Sequence, residues 1–71
     1  MSTVTEADNR YSVALEEGVR GWRVIIRDPD GDPVSKRSCS DETEARTYAS
    51  AVRQHIYWLS EPRFRSYYGL P

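Results

Sequence analysis

The sequence predicts an α+β domain: a three-stranded antiparallel sheet with one long helix packed on one face (β-β-β-α), followed by a short C-terminal helix. Three observations lead to it. Trp22 to Arg27 alternates like a strand, with Trp22, Val24 and Ile26 on one face and Arg23, Ile25 and Arg27 on the other. Asp28-Pro29-Asp30-Gly31 follows at once and reads as a tight turn. Pro29 presets φ, Asp30 tolerates the next position, and Gly31 accepts left-handed geometry. Further on, Ala45, Tyr48, Ala49, Val52, Ile56 and Leu59 recur at helical spacing and form one stripe.

The elements follow in chain order. Met1 to Arg10 is small and polar and is expected to be a flexible arm. Tyr11 to Leu15 places Tyr11, Val13 and Leu15 on one face and reads as the first strand. Glu16 to Gly21, with two glycines, reads as a turn, and Trp22 to Arg27 as the second strand. The Asp28 turn then makes a short-loop hairpin, expected to carry a Gly bulge. Pro33 to Cys39 is the third strand. It is polar, with only Val34 as a strong apolar anchor, and such a strand suits a sheet edge.

The long helix is expected from Glu42 to Leu59. Asp41 with Glu44 resembles a capping box, and acids favour a helix N-terminus. Ser60-Glu61-Pro62 can start a second helix, with Ser60 as cap and Pro62 in the first turn. Phe64, Tyr67 and Tyr68 sit at i, i+3 and i+4, and Gly69 is a C-cap. The expected organisation is an arm at 1–10, a β-β-β-α domain at 11–59 and a short C-terminal helix or tail at 60–71. There is no internal repeat and no low-complexity tract.

Composition bounds what such a chain can do. Its 71 residues make one domain at most, and 38% hydrophobic content gives it a small core. A single core in a chain this short rarely supplies more than about 3–5 kcal/mol, so association with a partner or a second copy is expected. The net charge is −1 and the pI about 5.7, against the pI above about 9 usual for strongly electrostatic nucleic-acid binders. Residues 1–19 sum to −3 and residues 20–71 to +2. One cysteine, Cys39, makes no intramolecular disulfide and no zinc site alone, and suggests a reducing compartment. The start MSTVTEADNR does not read as a signal peptide, and no run reaches the roughly 18–20 apolar residues of a membrane span. The expected location is the cytoplasm, with no membrane contact.

Two surfaces stand out as candidate sites. Five of the eight aromatics fall between Tyr57 and Tyr68, with Arg63 and Arg65 interleaved and Arg53 one turn earlier. Trp, Tyr and Arg dominate interface hot spots. Tyr57, Trp58, Arg63, Phe64, Tyr67 and Tyr68 are therefore the expected protein interface. The plain alternative is that the terminal helix folds back and buries these residues as a satellite core. Stacking on single-stranded nucleic acid is a third reading.

The second surface is the sheet face without the helix. It should display Ser12, Ala14, Arg23, Ile25 and Arg27, with either Ser35 and Arg37 or Lys36 and Ser38. A basic sheet can enter a major groove, so Arg23, Arg27, Lys36 and Arg37 are the candidate DNA-reading residues. The plain alternative is an ordinary solvated face. Asp28, Asp30 and Asp32 at the hairpin tip would repel phosphates.

No catalytic or metal-binding signature is present. A dyad with Cys39, just before the helix, would need its His about one turn in, whereas His55 lies about four turns along. The Asp28-to-Asp32 string lacks the length and distal Glu of a calcium loop, and turn chemistry explains it. No Gly-rich phosphate loop occurs. The expectation is a non-enzymatic module with no cofactor and no metal.

The order of aromatic strand, D-x-x-G hairpin, polar strand and acid-capped helix with an early Ala resembles the arm-type, AP2-like DNA-binding domains of phage-type tyrosine recombinases. The matching residues are Trp22, Val24, Arg27, Asp28, Gly31, Ser38, Glu44, Ala45 and Tyr48, within 28 of the 71 residues. The resemblance implies a sheet that reads DNA through Arg23, Arg27 and Arg37. The chain departs from it in its acidic hairpin, where the family's hairpin and third strand are usually rich in Lys and Arg. The leading expectation is therefore an accessory subunit or adaptor that docks on a larger protein or self-associates. DNA binding by the sheet is the alternative.

Overall fold

Apolar side chains concentrate in the central strand, and the rest of the fold is arranged around them. The computed structural model describes residues 9–71. Its elements are β1 (Ser12–Gly18), β2 (Gly21–Arg27), β3 (Pro33–Cys39), α1 (Glu42–Trp58) and α2 (Glu61–Tyr68). The three strands pair in the order β1-β2-β3, both ladders antiparallel, giving the expected α+β arrangement.

The first ladder runs further than the sequence reading allowed. Glu16 pairs with Arg23, Glu17 with Trp22 and Gly18 with Gly21, so only Val19 and Arg20 form the turn. Two glycines signalled a loop, but antiparallel pairing persisted up to both of them. Tyr11 precedes the strand and is still 6% exposed. The flexible arm expected at 1–10 is corrected at its end. Asn9 and Arg10 are hydrogen-bonded into the domain, and residues 1–8 lie outside the described residues.

The second hairpin turns as its sequence suggests. Gly31 N–H donates to the Asp28 carbonyl at 2.8 Å, and Gly31 adopts φ 91°. Asp28 Oδ1 accepts from the Asp30 and Asp32 amides at 3.0 and 2.9 Å, an Asx-type brace. The ladder then slips between Ile26 and Arg27: Ile26 pairs with Ser35 and Arg27 with Pro33, leaving Val34 as the extra residue. This bulge decides which face of β3 meets the helix. Val34 packs with the apolar side chains around Ile26, while Lys36 lies opposite Ile25 and Arg37 opposite Val24.

Asp41 caps α1, its carboxylate accepting from the Glu44 amide at 2.9 Å. Glu44 reaches back to the Ser40 amide and hydroxyl at 2.9 and 2.8 Å, so the box closes one residue earlier than usual. The buried stripe of α1 lies across β2. Near its start, Ala45 and Ala49 pack with Val24 and Cys39; near its end, Val52 packs with Ile26, Tyr11 and Phe64. The small alanines let the helix sit close to the sheet where Trp22 also packs.

Residues 60–71 fold back onto this core rather than trailing from it. Phe64 is fully buried, and Tyr68 and Leu70 pack beside it. Ser60 occupies the cap position of α2 but its side chain makes no capping bond; its carbonyl accepts from the Phe64 amide at 2.8 Å. Gly69 at φ 64° ends the helix, with Leu70 N–H bonded to the Arg65 carbonyl at 2.8 Å, the Schellman pattern.

Two substitutions test this packing. A Cβ on Gly21 would stand 2.7 Å from the Cys39 carbonyl oxygen, at φ 143°, whereas one on Gly31 meets nothing within 4 Å. Gly21→Ala should therefore lower the urea midpoint by the equivalent of about 2 kcal/mol or more, and Gly31→Ala by about 1 kcal/mol. Phe64→Ala should remove about 3–5 kcal/mol, comparable with the whole stability of so small a domain.

Candidate protein-docking surface

The end of α1 and the face of α2 carry most of the chain's aromatic rings, and the fold divides them into two sets. Helical spacing sends Ile56 and Leu59 inward with the stripe, which leaves Tyr57 and Trp58 outside it. They are 70% and 64% exposed. On α2, Phe64 points into the core, its ring 5.0 Å from Tyr11 and 4.9 Å from Tyr68. Tyr67 stays outside at 63% exposure and lies against His55, with ring centroids 4.6 Å apart. His55 and Trp58 are three residues apart on α1 and so lie on neighbouring positions of one side.

Specific bonds hold this arrangement. Tyr68 Oη and His55 Nδ1 are 2.7 Å apart and join α2 to α1. Burial, then the neighbouring Tyr48 and Tyr67, pushes the Tyr68 phenol up to about 12. Asn9 Nδ2 donates to the Leu59 carbonyl at 2.9 Å, at the junction of the helices. The Arg10 amide and Nε donate to Glu61 Oε2 at 2.8 and 3.2 Å. The Arg10 amide bond chiefly holds the Glu61 carboxyl below its ordinary value, with the Arg10 and Arg65 charges adding to it.

The six residues expected at a protein interface are therefore not equivalent. Tyr57, Trp58, Arg63 and Tyr67 are exposed. Phe64 is corrected outright: it is core, because the i, i+3, i+4 set of α2 needs one ring to seat the helix. Tyr68 is half-buried, with its ring against Phe64 and its hydroxyl on His55. Periodicity alone could not choose which of Phe64, Tyr67 and Tyr68 faces inward in a helix of eight residues.

The four candidate DNA-reading residues are also divided. Arg23, Arg27 and Lys36 lie on the sheet face away from the helix. Arg23 Nη2 is 2.9 Å from Glu16 Oε1, and Arg27 Nη1 donates to the Gly31 carbonyl at 3.3 Å. Arg37 lies on the opposite face, its guanidinium 4.5 Å over the Tyr48 ring. The bulge at Val34 settles this parity, and one-residue slips reverse every side chain of a strand. Ile25, expected to be displayed, is only 3% exposed. Arg23 and Arg27 flank it along β2 and Lys36 pairs beside it, and the aliphatic stems of such cations can cover an apolar neighbour.

The residues with chemical potential are not brought together. Cys39 is buried beside Val24 and Ala45, while His55 stands at the other end of α1 against Tyr67 and Tyr68. A shallow recess of about 330 Å³ beside the first hairpin is lined by Gly18 to Arg23, Ser38 and Cys39, without a carboxylate or imidazole. Among the described residues no group of three or more His, Cys, Asp or Glu is placed to hold a metal ion. Among the same residues no helix is long and apolar enough to cross a membrane. Comparison with protein-family models, curated proteins and solved structures finds no match.

The titrating groups give the fold a defined pH response. Unfolded Tyr68 ionises at its ordinary 10.0 and folded Tyr68 only at about 12, so stability should fall as pH rises through that window. Tyr68→Phe should flatten the fall. On the acid side, Ser40 bonds hold Glu44 below its ordinary 4.5, as Arg10 does for Glu61. Their contribution is present above that value and is lost as pH falls below it. Urea midpoints measured across pH, with Glu44→Gln and Glu61→Gln, check both limbs.

Proposed function

We propose that this protein is a small non-enzymatic interaction module that docks on a larger protein through Tyr57, Trp58 and Tyr67, with Arg63 beside them. The observation that carries the reading is that three large aromatic side chains remain 63–70% exposed although the core is filled without them. Exposed aromatics clustered with Arg are the residue types that anchor interfaces. Phe64 supports the reading indirectly: by seating α2, it holds Tyr67 on the outside beside His55.

DNA binding by the sheet is the second reading. What favours it is the face carrying Arg23, Arg27 and Lys36, on the side of the sheet away from α1. Its cation set is smaller than the sequence suggested, because Arg37 is on Tyr48 and Arg23 is paired with Glu16. Such binding would weaken steeply with salt as counterions are released.

The experiment is an affinity capture from the source cell with wild-type protein and two variants. Trp58→Ala and Tyr67→Ala should each fold normally and reduce recovery of a specific protein by about tenfold or more, as loss of a hot-spot residue does. Unchanged recovery with both variants would contradict the site. Retention of the protein on duplex DNA at low salt, lost on Arg27→Ala, would favour the sheet reading instead.

A further inference from the structure

Charge is distributed unevenly around the aromatic surface. Residues 45–71 contain Arg46, Arg53, Arg63 and Arg65 and a single carboxylate, Glu61. Residues 1–44 contain six Lys or Arg and ten Asp or Glu. The net charge of −1 thus conceals a segment at +3 and another at −4. Glu61 is held by Arg10, and Arg46 by Glu42. Among the described residues Arg53, Arg63 and Arg65 have no carboxylate partner within ion-pair distance.

Helical geometry connects these cations to the aromatics. Arg53 is four residues before Tyr57 and lies on the same side of α1. Arg63 and Tyr67 have the same spacing on α2. Every cation of this segment is arginine, whose planar fork binds carboxylates in bidentate fashion and stacks on aromatic rings.

We propose that an acidic peptide segment of the partner lies across the exposed back of α1, from Arg53 and Tyr57 on one flank past Trp58 to Tyr67 and Arg63 on α2, its carboxylates on the guanidiniums and its apolar side chains on the rings. The proposal rests on the docking reading above and specifies the partner's chemistry. The acidic hairpin favours a peptide over a nucleic acid. Ile26 and Val34, at the root of the Asp28–Asp32 turn, share a core cluster with Ile56, Leu59 and Phe64, so three carboxylates belong to this same end of the molecule. They oppose the dense, regular charge of a polyphosphate backbone, whereas a peptide can place a few carboxylates away from them.

The test is selection of a displayed random-peptide library on the wild-type protein, on Trp58→Ala, and on the double variant Arg53→Gln/Arg63→Gln. All changed positions are exposed, so each variant should fold, and far-UV circular dichroism verifies it. The expected result is enrichment of sequences with Asp or Glu beside apolar residues. A synthetic peptide from that pool should bind the double variant about tenfold or more weakly, equivalent to about 1.4 kcal/mol. Enrichment of neutral or basic peptides that still depend on Trp58 would overturn the acidic segment while leaving docking intact. Identical pools on wild type and Trp58→Ala would overturn both. Displacement of the peptide by a single-stranded oligonucleotide at lower concentration than by free peptide would replace it with a nucleic-acid ligand. Self-association at low salt that Asp30→Asn/Asp32→Asn abolishes would replace it with a second copy of the chain.

Discussion

The seat of Phe64 is the contact on which the rest of the molecule depends. Its ring packs on Tyr11 from the segment before β1 and shares one core cluster with Ile26 from the central strand and Val52 from α1, and all four are at most 6% exposed. One side chain therefore joins the start of the described chain, the sheet, the long helix and the short helix. A helix of eight residues has little stability of its own, so α2 exists because packing holds it. The Asn9 bond to Leu59, the Arg10 bonds to Glu61 and the Gly69 cap then fix its angle and its end. Burying that ring also sorts the other aromatics. Tyr68 is drawn onto His55, and Tyr57, Trp58 and Tyr67 are left facing solvent.

The sheet obeys a second constraint, set by two hairpins of different character. The first turns in two residues and brings Gly21 so close to the Cys39 carbonyl that no side chain fits. The second is braced by Asp28 and followed by a bulge at Val34. That extra residue turns Arg37 toward Tyr48 and Lys36 toward the opposite face, and so divides the basic residues of β3 between two environments.

Much of this architecture was legible in the residues. The alternation of β2, the Asp-Pro-Asp-Gly turn, the Asp41 cap and the α1 stripe each express a local preference, and all agree with the tertiary result. What was not legible depended on contacts distant in sequence. The parity of β3 turned on a bulge that nothing in Pro33 to Cys39 announces. The ring of α2 that would be buried depended on a cavity formed by Tyr11, Ile26 and Val52. Asn9 and Arg10 read as part of a polar arm, because their partners, Leu59 and Glu61, are some fifty residues away. The candidate site was half legible: aromatic and arginine enrichment named the right segment, and only packing could separate its exposed members from its core members.

The central claim is that α2 belongs to the folded domain and thereby leaves an aromatic surface outside it. Native-state hydrogen exchange of the free protein tests this most directly. The Phe64 and Leu70 amides, bonded to the Ser60 and Arg65 carbonyls, should exchange only through the same global opening that exposes the amide of Val52. Exchange of Phe64 and Leu70 at rates near those of an unstructured peptide, with Val52 still protected, would mean that α2 is detached in the free protein, and would contradict the account.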